Sequence, residues 1–364
     1  MRERLPLLIA VFVVMALSNA IVPVLPTFAE NSTVMQASIF AAYFFGALVT
    51  VLPAGVLSDR YGRILFIKAG IALTALSGVL MIFFPQSYTV LGARLLEGIG
   101  AGLYISAAMS WVNSQEDHEY LSGNFMAALN LGLVIGLFGG GWLANLMGMM
   151  RGGILLFTVF SGIAFLLSFL IREGRMAPGG VKHLFDVGLR YHWLYFSALI
   201  LLGATGVVSA LYPAFTGGSP TALSLEIGLM YASTFITVLV ASHAHLDPVR
   251  AIQASAFLMA IGVLFCYFTP VGFVLVGALA GVVIIAQMAF LADTGMPQGA
   301  VIGLFNISTY SGMSLLPFIA GVVVQFSGNS FLIAFAFTAI LCVIVGGVIG
   351  KVARRSQRTV TISF

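Results

Sequence analysis

Charge is scarce in this sequence: Asp, Glu, Lys and Arg make up 8% of its 364 residues, where soluble domains carry about a quarter. With a mean hydropathy of +1.08, the chain lies outside the range of soluble globules. Cysteine is nearly absent as well. Cys266 and Cys342 both sit inside apolar runs, which excludes a disulfide framework and a Cys-based metal site and leaves them as small interior hydrophobes. The basic residues behind the net charge of +4 are scattered between apolar runs, with no aromatic-interleaved patch, so nucleic acid is excluded as a partner. No nucleophile with its base and no phosphate loop occurs, so neither an enzyme nor a cofactor is expected.

Long apolar runs are what the chain does have. A run of 18 or more uncharged residues can cross a bilayer core of about 30 Å, and in that solvent the backbone must satisfy its own hydrogen bonds. The strand alternation of a barrel is missing, so the runs are expected to be helices. Twelve are legible, at about 5–28, 35–57, 64–84, 88–111, 122–147, 152–171, 192–214, 223–243, 250–268, 271–291, 298–325 and 331–350. The first is longer than a secretory signal core of roughly 7–15 residues and lacks a small-residue cleavage site, so it reads as a retained span. The expected fold is an all-α membrane protein of twelve transmembrane helices in two six-helix halves, multi-pass in the cell (plasma) membrane.

The basic residues set an expected orientation. With the N-terminus inside, Arg2, Arg4, Arg60, Arg63, Lys68, Arg172, Arg175, Lys182, Arg190, Arg250, Lys351, Arg354, Arg355 and Arg358 fall on the cytoplasmic side and only Arg151 outside. Both termini are then cytoplasmic. The polar segment 172–190, with Pro178-Gly179-Gly180, reads as a cytoplasmic linker between an N-terminal half at 1–171 and a C-terminal half at 191–350, with a basic tail at 351–364. At an offset of 180 residues, Gly123, Phe125, Gly132 and Gly141 are echoed by Gly303, Phe305, Gly312 and Gly321. Two six-helix halves are a plan of secondary transporters, with the substrate site between them.

Gly55-Val56-Leu57-Ser58-Asp59-Arg60-Tyr61-Gly62-Arg63 is a charged, glycine-bounded turn between the second and third spans. Gly55 and Gly62 permit unusual backbone angles, and Asp59 can cap the next helix or pair with Arg60 or Arg63. The turn is either a latch between conformational states or a topogenic loop. Its pattern resembles the signature loop of the major facilitator superfamily, with Ile64 where a further basic residue is common. Arg94-Leu95-Leu96-Glu97-Gly98 resembles that family's fourth-helix motif, and Pro23-Val24-Leu25-Pro26 the first-helix motif of its twelve-span drug exporters. Gly132-x-x-x-Gly136 with Gly140-Gly141 resembles the fifth-helix antiporter motif, with Leu137 in place of its Pro. Asp247-Pro248-Val249-Arg250 is a degenerate copy of the loop in the second half.

Inside the spans, Arg94 and Glu97 most need explaining. An embedded charge costs at least ~2.5–3.5 kcal/mol at a helix centre, and their i,i+3 spacing puts them on one face. They are either a coupling pair, with Glu97 carrying a proton that Arg94 opposes, or a static bridge. The resemblance, in which the fourth helix lines the cavity, favours coupling. It also implies further cavity residues at Asn19, Tyr104, Ser209, Tyr212 and Gln287. Gly132, Gly136 and Gly140 form a smooth stripe, either a sliding contact between the halves or static packing. Glu30, Glu226, Asp293, His243 and His245 read as solvated ends of spans; Glu116, Asp117, His118 and Glu119 read as a charge cluster, with a metal site the weaker alternative.

The expected function is alternating-access transport, in the form of proton-coupled export of small amphipathic or drug-like molecules. The partners are a small-molecule substrate, protons and the lipid bilayer, and the chain is expected to act as a monomer. The alternative is a symporter or facilitator for a small organic anion, with Arg94 as counter-charge.

Overall fold

A computed structural model describes residues 4–115, 117–146, 150–173, 184–244, 246–292 and 298–361, which contain helices and no strand. The α-helices are α1 (Arg4–Ala20), α2 (Thr33–Tyr61), α3 (Arg63–Phe83), α4 (Ser87–Asn113), α5 (His118–Leu146), α6 (Gly152–Leu167), α7 (Leu184–Arg190), α8 (His192–Thr216), α9 (Pro220–Ala241), α10 (Pro248–Phe268), α11 (Val271–Ala292), α12 (Gln298–Phe326) and α13 (Phe331–Thr361). Eleven are long and apolar enough to cross a membrane, and a bent pair at the start makes a twelfth span. The twelve apolar runs are therefore helical, as self-satisfaction of backbone hydrogen bonds requires.

Three boundaries differ from the sequence expectation, each for a local reason. The first span is broken: α1 ends at Ala20 and the chain tightens into a 3-10 segment, Val22–Phe28, bent by 46°. Pro23 and Pro26 lack the amide hydrogens a continuing α-helix would need. The stretch 55–63 is mostly helix rather than turn, because α2 runs unbroken to Tyr61 and α3 begins at Arg63. At the other end, α13 continues beyond Lys351, where the apolar span stops, to Thr361. Of the linker, residues 174–183 lie outside the described residues, as do Glu116, His245 and Asp293.

Contacts divide the chain into two compact units, Met1–Val181 with Tyr212–Gly228, and Lys182–Leu211 with Leu229–Phe364. Within the first, α4 lies against α2 and α3, α1 against α5 and α6, and α3 against α6. Within the second, α10 lies against α11 and α13, and a Cβ added to Gly312 of α12 would strike the Leu199 carbonyl of α8. The pairings α3–α4, α3–α6 and α1–α5 thus recur as α10–α11, α10–α13 and α8–α12. Gly132 and Gly312 hold equivalent places in them, which gives the 180-residue echo a packing reason.

The glycine stripe of α5 seats that helix on α1. A Cβ on Gly132, Gly136 or Gly140 would run into the carbonyl oxygen of Phe12, Ala16 or Ala20, which share the same four-residue spacing. The stripe is therefore packed against α1 inside the first unit. Gly141, about 100° further round the helix, instead meets the Pro220 carbonyl and Ser224 in the part of α9 that belongs to the same unit. Thr221 Oγ1 donates to the Gly141 carbonyl there at 3.2 Å.

Candidate functional site

The buried charges depend on a close helix contact. A Cβ on Gly98 would hit the Tyr43 carbonyl and one on Gly46 the Leu95 carbonyl, so α2 and α4 meet backbone to backbone. That approach lays the Tyr43 ring over Arg94, with 4.6 Å from guanidinium carbon to ring centroid. Arg94 Nη1 donates to Glu97 Oε2 at 2.6 Å and to the Ser18 carbonyl at 3.2 Å. Ser18 lies in the last turn of α1, where the break leaves carbonyls short of intrahelical donors and the helix end carries partial negative charge. Arg94 therefore faces a carboxylate, a helix end and an aromatic face together.

Arg94 and Glu97 are 1% and 0% exposed. At that depth, removing either partner strands the other, which is why both persist in a span so poor in charge. Glu97 Oε1 and Arg94 Nε are buried without a protein partner. An acceptor and a donor thus stand in reserve beside a formed ion pair.

The second charged site is the junction of α2 and α3. Gly62 alone makes the turn, at φ 101° and ψ 132°, a conformation essentially restricted to glycine. Across it, Arg63 Nε donates to Asp59 Oδ1 at 3.3 Å, and Ser110 Oγ of α4 donates to the same oxygen. The Arg63 side chain is only 2% exposed. Arg60 is exposed and lies over the Tyr61 ring, so it stands outside this network. Gly55 sits within α2, and a Cβ there would be only in ordinary contact with Ser106, so it relieves no crowding. Gly62 carries no side-chain cap for α3, and the amides of Arg63 and Ile64 donate instead to the Glu173 carboxylate at 3.2 and 3.1 Å.

The remaining cavity candidates are all buried. Asn19, next to Ser18, donates from Nδ2 to the Leu133 carbonyl at 3.0 Å and ties α1 to α5 beside Arg94. Tyr104 points elsewhere: its hydroxyl donates to the Leu7 carbonyl at 2.6 Å, in the apolar core of the first unit with Trp111 and Phe125. In the second unit, Gln287 Nε2 donates to Ser197 Oγ at 2.8 Å, while Gln287 Oε1 and Ser209 Oγ are buried without a partner. Tyr212 packs near Phe215, with ring centroids 6.1 Å apart.

Two peripheral acids act as ties. Glu30 Oε1 accepts from Ser87 Oγ at 2.7 Å, and Asp117 takes both Arg4 guanidinium nitrogens at 2.6 and 2.8 Å. Among the described residues no group of three or more metal-ligating side chains occurs. Sequence reading missed Tyr43, Ser110, Glu173 and the Ser18 carbonyl. Only Gly46, three residues after Tyr43, marked where α2 could approach another helix closely.

Comparison with known proteins gives this geometry its context. The Major Facilitator Superfamily model matches residues 7–188. A multi-drug resistance efflux pump, PmrA of Streptococcus pneumoniae, is 33% identical over 144 residues, which span 36% of this chain and 35% of the pump. A 3-(3-hydroxy-phenyl)propionate transporter of Escherichia coli is 27% identical over 300 residues, or 82% of this chain and 68% of that one. The chain thus matches about a third of the pneumococcal pump's length. Among solved structures, a bacterial homologue of the human lysosomal transporter Spinster, inward-facing and occupied, superimposes with a TM-score of 0.79 at 14% identity over 96% of both chains. The nucleoside transporter NupG does so with a TM-score of 0.78 at 13% identity, over 96% of this chain and 99% of that one. From residue 7 through the sixth span the motifs and the family model coincide, and along its whole length the chain shares the fold of these solved structures: it belongs to the Major Facilitator Superfamily and is a multi-pass membrane protein.

Proposed function

We propose that this protein is a transporter that couples export of small amphipathic or drug-like molecules to protons by alternating access, with both termini cytoplasmic. The observation that carries this reading is the Arg94–Glu97 pair. Its carboxylate is fully buried, its Oε2 is held at 2.6 Å by Arg94, and its Oε1 is unpartnered. A proton arriving at Oε1 neutralises Glu97 and weakens its hold on Arg94. Arg94 then keeps the Ser18 carbonyl and the Tyr43 face as partners but loses its counter-charge, and that cost shifts the balance between states. Asp59, Gly62 and Arg63 act in this reading as the latch that holds one state. Asn19, Ser209, Tyr212 and Gln287 supply polar contacts to the substrate.

The second reading is a symporter or facilitator of a small organic anion. It is favoured by the hydroxyphenylpropionate transporter, whose match covers 82% of this chain, and it makes Arg94 the counter-charge. One experiment separates the two. Purified protein in liposomes enclosing a pH dye is given ethidium, tetraphenylphosphonium or 3-(3-hydroxyphenyl)propionate, and Glu97→Gln is run beside wild type. Cation-driven proton flux that the substitution abolishes supports coupled export. Propionate uptake that survives Glu97→Gln and fails in Arg94→Gln supports the anion carrier. Substrate movement without proton flux, unchanged by Glu97→Gln, ends the coupling reading.

A further inference from the structure

The α2–α3 junction depends on a residue from the far end of its own half. An N-terminal helix end leaves backbone amides without partners, and the residue before the helix ordinarily caps them with its side chain. Gly62 has none, yet any residue with a side chain is strained at its φ of 101°. The conflict is resolved from outside: Glu173, just past the end of the sixth span, accepts from the amides of Arg63 and Ile64 through its two carboxylate oxygens. Glu173 is itself held in place, because the buried Trp111 at the end of α4 donates its indole N–H to the carbonyl of the preceding residue, Arg172, at 2.9 Å. One residue before Trp111, Ser110 donates to Asp59.

Arg63 is therefore gripped twice, at its backbone by Glu173 and at its guanidinium by Asp59. We propose that Glu173 is a positioning residue for the Asp59–Arg63 latch. By fixing the start of α3 it holds the Arg63 side chain within reach of Asp59, and it sets how readily the latch opens. Glu173 lies in the stretch of chain between the sixth span and α7. This proposal rests on the reading of Asp59, Gly62 and Arg63 as a latch.

The test is hydrogen exchange on the full-length protein in lipid nanodiscs, which needs neither a transported substrate nor proton coupling. Losing an N-cap interaction corresponds to about a five-fold change in local opening. Glu173→Ala is expected to speed exchange of the Arg63 and Ile64 amides by about that factor, and Glu173→Gln, which keeps an acceptor oxygen, by less. Trp111→Phe, which keeps the ring and loses the indole donor, is expected to give a smaller change in the same amides. The deciding readout is the Gly62 amide, which donates to the Ser58 carbonyl in the last turn of α2. A cap serving α3 alone leaves it unmoved. Coupling through Arg63 to Asp59 speeds its exchange in Glu173→Ala, and that effect disappears when Asp59→Asn is already present. An unmoved Gly62 amide, or equal changes with and without Asp59→Asn, overturns the proposal. Failure of Glu97→Gln to alter proton flux would end the coupling reading and leave this result standing.

Discussion

The two halves solve the same local problem differently where their second helix hands over to their third. In the first half, Asp59, Gly62 and Arg63 make the junction with help from Ser110 and Glu173, two residues remote in sequence. In the second half, Asp247 caps α10 unaided: its Oδ1 accepts from the amides of Val249 and Arg250 at 3.0 and 3.1 Å, and Pro248 occupies the first helical position. Arg250 reaches back to Asp247 at 3.4 Å, but its side chain is 75% exposed against 2% for Arg63. The sequence pattern of acid, turn and arginine is common to both. Burial and remote partners make one junction a network whose parts depend on each other, and the other an ordinary helix start.

Graded substitutions test that asymmetry. The largest effect is expected from Arg63→Ala, which leaves Asp59 partly buried with its counter-charge gone. Breaking a buried pair costs about 3–5 kcal/mol, and the partial exposure of Asp59 places the expected loss at the lower end, read as reduced thermal stability in detergent together with reduced transport. Gly62→Ala comes next, at about 1–3 kcal/mol for a side chain held at a glycine-only backbone angle. If Gly62→Ala is neutral, the junction is more pliable than its geometry implies. Asp247→Ala is expected to cost about 1 kcal/mol as a lost N-cap and to leave transport rates unchanged. Arg250→Ala is smallest, at about 0.5 kcal/mol or less for an exposed and screened pair. Transport loss in Arg250→Ala equal to that in Arg63→Ala would erase the distinction between the junctions.

Legibility from sequence followed a physical line. Apolar runs announced the spans because a bilayer core allows few alternatives to helices, and except for the extension of α13 to Thr361 the position of each run located its helix to within a few residues. Arg94 and Glu97 stood out because charge is rare at that depth. The break in the first span was written in Pro23 and Pro26 as well, although the apolar run there reads as continuous. The partner of the glycine stripe was not legible. A four-residue spacing states that a helix approaches closely and does not name the helix, and α1 answers it with Phe12, Ala16 and Ala20. Tyr104 entered the candidate cavity through the family resemblance alone, and its bond to the Leu7 carbonyl, 97 residues away, was not legible in the sequence.

By itself, the sequence determined the solvent, the helices and the two places where charge is tolerated, since these follow from composition and spacing along one chain. Tertiary structure alone decided what those charges touch. Arg94 answers a helix end made by α1 and a ring brought by α2, and the Gly62 turn borrows its cap from Glu173, 111 residues further along the chain. Such contacts depend on which backbones pack together, and the local pattern of residues does not encode that choice.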